Sequence, residues 1–468
     1  MIFPLFPKKK SAARLEIIVI PAAVILAYWL YFVFGVSNLL VGGFLAALIF
    51  LAAFFNTNFA LSLLIFSMLL SPEFSTGETS ARAVTVRLDD MLLVVACLGW
   101  LAKMAVDKGL GFLRVTPLNK PIAAYVAVAV ISTGLGVLWG SVTFVVGFFY
   151  VVKYLEYFFL FFMVSNNLKE IAEVKRFVYM MILVMVIVCA LAWAQHLGGA
   201  MRVSAPFEGE YGEPNTLGGY LLVMLMVSVG LLLNLGKAAQ RLFLAAAVFM
   251  GFPVMLFTLS RGSWLGFVFA SPALLFFTKK NKLPLVAIFL VTIWSFSVIF
   301  PKYVYERINY TFQQNITQRV VMGRKLGLDR SAAARIDTWR KGLQQWAKSP
   351  IFGYGVGSRG QTVDNQYARL LLEAGLLGFL AFFWIIFWIF KQALANFRLL
   401  REDDFCAGLV AGYLAATVGL LIHGFSAGTF IIIRIMEPFW FLTAIVMVLP
   451  ELKGALPPPP DIKTIGAA

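Results

Sequence analysis

The sequence predicts an all-α fold, a polytopic transmembrane helical bundle of about 12–14 spans with one large extracytoplasmic loop containing an amphipathic helix. Three observations predict it. The 468 residues are 61% hydrophobic and only 13% charged, a balance that excludes a soluble globular chain. Apolar runs of roughly 20 residues, the length that crosses a hydrocarbon core of about 30 Å, recur along the sequence. Basic residues gather in alternate short loops, as they do in membrane proteins whose basic loops stay on the cytoplasmic side.

Candidate spans lie near 16–35, 37–55, 58–71, 88–106, 121–140, 143–164, 177–197, 216–235, 242–259, 264–278, 283–300, 367–390, 406–425 and 429–449. The third is short and reads equally as a re-entrant segment. Lys8, Lys9 and Lys10 precede the first run without a small-residue cleavage pattern after it, so that run is expected to be a retained span rather than a signal peptide. With a cytoplasmic start, Lys103/Lys108/Arg114/Lys120, Lys169/Lys175/Arg176, Lys237/Arg241, Lys279/Lys280/Lys282 and Lys391/Arg398/Arg401 all fall on the cytoplasmic side. The acidic loop with Glu208, Glu210 and Glu213 falls outside, as does the stretch from Pro301 to Gln366. The expected division is an N-terminal transmembrane bundle over 1–300, an extracytoplasmic loop over 301–366, C-terminal transmembrane helices over 367–450 and a cytoplasmic tail over 451–468.

The net charge of +16 is distributed through these short loops and is no nucleic-acid footprint. Cys97, Cys189 and Cys406 sit singly in apolar runs and read as small buried hydrophobes. No zinc-ligand spacing and no phosphate-binding P-loop occurs, and no metal or cofactor is expected. With only His196 and His423, a Ser-His-Asp triad is not expected. Gly355-Val-Gly357-Ser-Arg-Gly360 matches a dinucleotide fingerprint in letters alone, because no strand precedes it and no αβ unit follows.

The polar chemistry concentrates on the outer side. Ile336, Trp339, Leu343 and Trp346 at helical spacing, among Arg335, Arg340, Lys341 and Lys348, predict an amphipathic helix ended by Ser349-Pro350. That helix is either an interfacial element with a substrate role or a structural lid. Arg261, in Ser260-Arg261-Gly262-Ser263-Trp264, stands at a break between two apolar runs, where it either grips a phosphate or snorkels to headgroups. Arg202 opens an outer loop as a second phosphate-binding cation or as a partner of Glu208 or Glu210, and Asn215 or Thr216 is expected to cap the next helix.

Asp364 precedes the helix that starts near Tyr367, and is either a general base toward a sugar hydroxyl or an ordinary helix cap. Arg369 and Glu373, four apart, are spaced to pair. Lys153 and Glu156, one turn apart inside the sixth span, either neutralise each other or mark an intramembrane site, and His423 and Arg434, toward the outer halves of the last two spans, are candidates to line one cavity.

These pieces, in this order, resemble the O-antigen ligase/O-antigen polymerase superfamily of bacterial multi-span membrane glycosyltransferases. The resemblance rests on Arg202 with Pro214-Asn215, Ser260-Arg261-Gly262-Ser263-Trp264-Leu-Gly266, and Arg335 to Trp339. It continues through Pro350-Ile-Phe-Gly353-Tyr-Gly355, Asp364-Asn365 and Glu373-Ala-Gly375-Leu-Leu-Gly378. It implies transfer of a glycan from a polyprenyl-diphosphate carrier to an acceptor hydroxyl at the outer face of the inner membrane, with neither nucleotide sugar nor metal. It implies Arg261 and Arg202 as diphosphate cations and Asp364 at the acceptor, these three being the candidate catalytic residues. Asn365, Arg335, Tyr367, Arg369 and Arg434 are the candidate substrate-binding residues. The implied partners are a polyprenyl-diphosphate-linked oligosaccharide and membrane lipid, with chain-length regulator and flippase proteins beside them and no nucleic acid.

The ligases of the superfamily place a histidine before the Asn, at the same gap to Gly-x-x-Gly. Asp364 stands there in this chain, and the departure favours the polymerase-like branch. The alternatives are an O-antigen ligase or protein O-oligosaccharyltransferase of the same superfamily, and a transporter of lipid-linked glycan. A transporter needs polar residues along a path through the bundle, whereas this sequence gathers them at one face.

Overall fold

The computed structural model describes residues 47, 49–75, 85–106, 113–207, 212–277, 317–321, 324–328, 330–358 and 363–455. For 73–75, 85–86, 317–321, 324–328 and 330–334 it describes the backbone alone. The expected spans 16–35 and 283–300, most of 37–55, Glu208, Glu210 and the tail beyond 455 lie outside the described residues.

Each remaining expected span coincides with a helix. In chain order these are α1 (Thr57–Leu70), α2 (Leu88–Val106), α3 (Asn119–Leu138), α4 (Phe144–Asn167), α5 (Ile171–Leu197), α6 (Pro214–Asn234), α7 (Ala238–Phe257) and α8 (Arg261–Phe277). The amphipathic α9 (Arg330–Trp346) follows, then α10 (Gln366–Leu399), α11 (Asp404–His423), a 3₁₀ turn (Thr429–Ile431) and α12 (Ile433–Leu452). Eight of them, α3 to α7 and α10 to α12, are long and apolar enough to cross a membrane, and the chain is a multi-pass membrane protein. Apolar α1 and α8 are shorter, at 14 and 17 residues, and α2 carries Asp89 and Asp90 in its first turn.

Among the described residues two small hairpins accompany the helices: β1 (Glu73–Ser75) with β2 (Thr85–Arg87), and β3 (Thr317–Val321) with β4 (Arg324–Leu328), both antiparallel. Strands of three to five residues give too few alternations to be seen against long apolar runs.

The bundle is assembled around α6, α11 and α12, the most enclosed spans among the described residues. Glycines let α6 and α11 touch backbone to backbone: a Cβ on Gly230 would lie 2.5 Å from the Gly408 oxygen, and one on Gly412 would lie 2.6 Å from the Met226 oxygen. Small residues at a helix seam replace, within lipid, the hydrophobic drive that packs helices in water. Cys97, Cys189 and Cys406 are buried free thiols, as expected of small apolar fillers.

Polar contacts between helices sort the helix ends into two faces. On one, Asn58 donates to Glu173 (2.6 Å), Arg114 pairs with Glu451 (2.7 Å) and Lys453 pairs with Asp403. On the other, Arg434 of α12 reaches the ends of α1 and of the loop before α6. The first face also carries Lys169, Lys175 and Arg176, which the charge pattern assigns together. Two expectations give way here. Glu213 is the N-cap of α6 and Pro214 its first residue, where a fixed φ and a missing N–H do no harm, so neither Asn215 nor Thr216 caps it. No ion pair joins Lys153 to Glu156; buried Glu156 faces Asp90, Asp89 and Arg87 at the start of α2.

The 34-residue α10 is broken at Gly375, where φ is 65° and ψ is −164°. The break makes a nine-residue segment (366–374) ahead of the long span, and it frees carbonyls that the preceding loop then uses.

Candidate functional site

Arg202 and Arg261 are brought to one corner by the turn between α7 and α8. After Phe257 the chain passes Thr258, takes φ 50° at Leu259 and re-enters as α8 at Arg261. Positive φ is uncommon for a residue with a Cβ, and here it reverses the chain within three residues. Ser260 Oγ accepts from the Ser263 hydroxyl at 2.9 Å and closes the first turn of α8. The loop ahead of α6 packs onto this turn: the Val203 amide donates to the Phe257 oxygen (3.2 Å) and Arg202 Nε to the Thr258 oxygen (3.1 Å). The exposed Arg202 and half-buried Arg261 therefore lie at the two sides of one turn beside the N-terminus of α8, the positive end of its helix dipole.

The N-terminus of α10 joins the same face through the segment after α11. The Gln366 amide donates to the Gly424 oxygen (2.8 Å), Asn365 Nδ2 to the Phe425 oxygen (3.1 Å), and the Phe430 amide to Gln366 Oε1 (2.9 Å). Asn365 Oδ1 accepts from the Tyr367 and Ala368 amides, both at 2.9 Å. The cap of α10 is thus Asn365 and not Asp364. Asp364 is exposed, and its carboxylate makes no hydrogen bond or ion pair among the described residues. Asn365 uses both ends of its amide on protein partners. Tyr367 donates to the Leu421 oxygen at 2.5 Å and packs its ring on Phe425, with centroids 4.7 Å apart.

Arg369 is buried and pairs with Glu373 at 3.1 Å, as their spacing predicts, with its guanidinium 5.8 Å from the Tyr150 ring centroid. Glu373 also accepts from the Gly357 amide (3.3 Å). That contact belongs to a docking of two sequence motifs on each other. Tyr354 N donates to Leu372 O (2.9 Å) and Gly355 N to Glu373 O (2.8 Å), while Leu376 N donates to Pro350 O (2.8 Å). Ser132 Oγ of α3 lies 2.5 Å from the Phe352 oxygen and 2.6 Å from the Glu373 oxygen. The break at Gly375 is therefore a socket for the turn after α9. Trp339, Trp346 and Tyr354 pack beside Val363, Ala368 and Leu372, seating α9 over the start of α10.

Arg335 lies half-buried on α9, within electrostatic reach of His423. Arg434 is fully buried, and its guanidinium donates to the carbonyls of Pro206 (2.8 Å), Ser71 (3.1 Å) and Phe207 (3.5 Å). It ties two segments to α12, the end of α1 and the loop that carries Arg202. Beside it lies a buried group the sequence reading missed: Asp89, Asp90 and Arg87 at the start of α2, Glu156 of α4 and Glu437 of α12. The available signal was ionisable residues inside apolar runs, but nothing in sequence spacing showed that three separate helices bring them together.

The arrangement suits an anionic substrate at the membrane edge. Two arginines and the N-termini of α8 and α10 share one face, with an exposed carboxylate ahead of α10. Among the described residues no group of His, Cys, Asp and Glu is arranged to hold a metal ion.

Residues 245–383 match the family model described as O-antigen ligase. The match runs from within α7 into α10 and includes Arg261, Arg335, Asp364, Arg369 and the docked motifs. This match supports the O-antigen ligase/polymerase superfamily resemblance. No curated protein matches it.

Proposed function

We propose, from that family match, that the chain polymerises surface polysaccharide. It transfers a glycan from a polyprenyl-diphosphate carrier to an acceptor sugar hydroxyl, at the periplasmic face of the inner membrane. The observation that carries this reading is the placement of Arg202 and Arg261 at the two sides of one turn at the start of α8, on the face where α10 presents Asp364. In the proposed reaction the bond between the anomeric carbon and the diphosphate oxygen breaks and one to the acceptor oxygen forms. The acceptor proton leaves, and the diphosphate departs with an added negative charge. Arg202, Arg261 and the N–H groups of α8 stabilise that charge, and fixed donors aimed at developing charge act strongly where water is scarce. Asp364, with its carboxylate clear of the helix cap, takes the acceptor proton. Arg335 on α9 closes the glycan side. Asn365, Tyr367, Arg369 and Arg434 support the site through the contacts described above.

The ligase reading has one observation in its favour, the description of the matched family. Against it stands Asp364 where ligases of the superfamily resemble each other in carrying histidine. Chain-length regulator and flippase proteins are the expected neighbours of a polymerase. The test uses purified protein with a polyprenyl-diphosphate-linked oligosaccharide as its sole sugar source. Ladders of longer glycan with release of polyprenyl diphosphate are expected. A donor left intact, or glycan that moves only to a lipid A-type acceptor, would overturn the polymerase reading.

A further inference from the structure

His423 is fully buried at the end of α11, and one of its ring nitrogens has no partner. Nδ1 lies 2.7 Å from Thr429 Oγ1, whereas Nε2 meets no hydrogen-bonding atom. The other partner within reach of the Thr429 hydroxyl, the Ala427 oxygen, is at 3.5 Å, too long for a good hydrogen bond. In the tautomer in which Thr429 uses its shorter contact and donates to Nδ1, the imidazole proton sits on Nε2 as a donor. A buried donor left unpaired costs about 1–3 kcal/mol, so its retention calls for an acceptor that binds there.

The ring's orientation shows where that acceptor would lie. A Cβ on Gly219 of α6 would be 3.4 Å from His423 Cε1, and a Cβ on Gly262 of α8 would be 3.3 Å from Cδ2. Nε2, between those two ring carbons, points into the seam between the second turn of α6 and the N-terminal turn of α8. Both helices begin on this face, and Arg261 is the first residue of α8. Arg335 lies within electrostatic reach of the same imidazole. The N-terminus of α8, an arginine and an N–H donor at one seam favour an oxyanion. The seam is covered by Ser426, whose side chain rests on Gly262 next to the exposed Phe425.

We propose that His423 Nε2–H is a hydrogen-bond donor to the diphosphate of the carrier lipid, engaged when Ser426 moves off Gly262. The proposal rests on the donor class named above and adds a residue outside the matched family segment.

The sequence contains only two histidines, His196 and His423, so ¹⁵N-histidine spectra of the wild-type protein read this site directly, with His196→Gln assigning the signals. The probe is geranyl diphosphate. Its binding is expected to shift the His423 Nε2 resonance and to weaken in Arg261→Ala. Among variants, His423→Gln places an amide N–H near Nε2 and is expected to bind the probe within about threefold of wild type. His423→Asn reaches only the Nδ1 position, where its amide oxygen accepts from Thr429, and is expected to bind about tenfold more weakly, the loss of one hydrogen bond to a charged group. Arg261-dependent binding with an unmoved His423 resonance would overturn this inference and leave the proposed function standing. So would an Asn variant that binds as well as wild type. Absence of any binding in wild type would overturn both. If neither variant accumulates, the wild-type spectra decide.

Discussion

Gly353 and Gly140 share a φ of 69°, yet replacing each by alanine should have different consequences. At Gly140 an added Cβ meets nothing within 4 Å, so Gly140→Ala carries only left-handed backbone strain, about 1–2 kcal/mol. At Gly353 the same Cβ would lie 2.6 Å from the Leu372 oxygen and 2.7 Å from both Glu373 C and Gly375 N. All three are backbone atoms and none can swing aside. The turn must lift from the broken helix, and it then loses Tyr354 N to Leu372 O and Gly355 N to Glu373 O. At about 1 kcal/mol for each bond, Gly353→Ala weakens the docking by about 3–4 kcal/mol. The excess over Gly140→Ala, about 2 kcal/mol, is roughly a 30-fold shift in the docked-to-lifted ratio. Hydrogen–deuterium exchange of the Tyr354 and Gly355 amides in detergent measures that ratio. Exchange should accelerate by more than tenfold in Gly353→Ala over Gly140→Ala, and equal rates would refute the socket. Transfer activity should fall with it, because the lifted turn takes the Gly357 amide away from Glu373, the partner of Arg369.

Other expectations follow from single contacts. Arg261→Ala should abolish glycan transfer while the protein still accumulates in membranes, and Arg261→Lys should rescue poorly, because a point charge cannot reproduce a two-pronged contact; normal transfer by the alanine variant would remove Arg261 from the site. Arg434→Met leaves the buried carbonyls of Pro206 and Ser71 without their donor, and at about 1.5–3 kcal/mol for each hydrogen bond to a charged group should destabilise the protein by about 3–6 kcal/mol, seen as reduced folded protein after extraction. Full accumulation with weakened donor binding would instead place Arg434 against substrate. On the opposite face, burial pushes the Asp403 carboxyl up, but hydrogen bonds from Lys453 and from the Cys406 amide outweigh it and hold its pKa below the ordinary carboxylate value. A lowered folded pKa contributes stability that is present above the unfolded carboxylate range and lost as pH falls through the folded value. Wild type should therefore lose more thermal stability than Asp403→Asn between neutral pH and the acid range below about 4; parallel losses would show the pair to be inert.

The helices were legible because length and hydropathy alone decide what crosses a bilayer, and the basic loops grouped the ends that the contacts bring together. What stayed hidden depended on partners distant in sequence. The motifs at Pro350 to Gly355 and Glu373 to Gly378 were recognisable separately, but Gly375 as a socket for Ile351 and Gly353 follows only from the three-dimensional docking. Asp364 and Asn365 are both good caps by type. The choice of Asn365 follows from its Nδ2, which also reaches Phe425 across the turn after α11, a donor that a carboxylate lacks. Arg202 was visible as a loop cation, whereas its place beside Arg261 depends on the Thr258 carbonyl at the end of another helix. The cluster of Asp89, Glu156 and Glu437 was invisible because its members come from three helices far apart in sequence, and the cations at helical spacing, Lys153 and Arg434, pointed to local pairs instead.

The most direct test of polymerisation at this face is the glycan and carrier-lipid profile of a deletion strain complemented with wild type or with Asp364→Asn. The account predicts that deletion removes long chains while single repeats still reach their acceptor, and that wild type restores length where Asp364→Asn does not. Full-length glycan accumulating on its lipid carrier, or a profile unchanged by deletion, would contradict it.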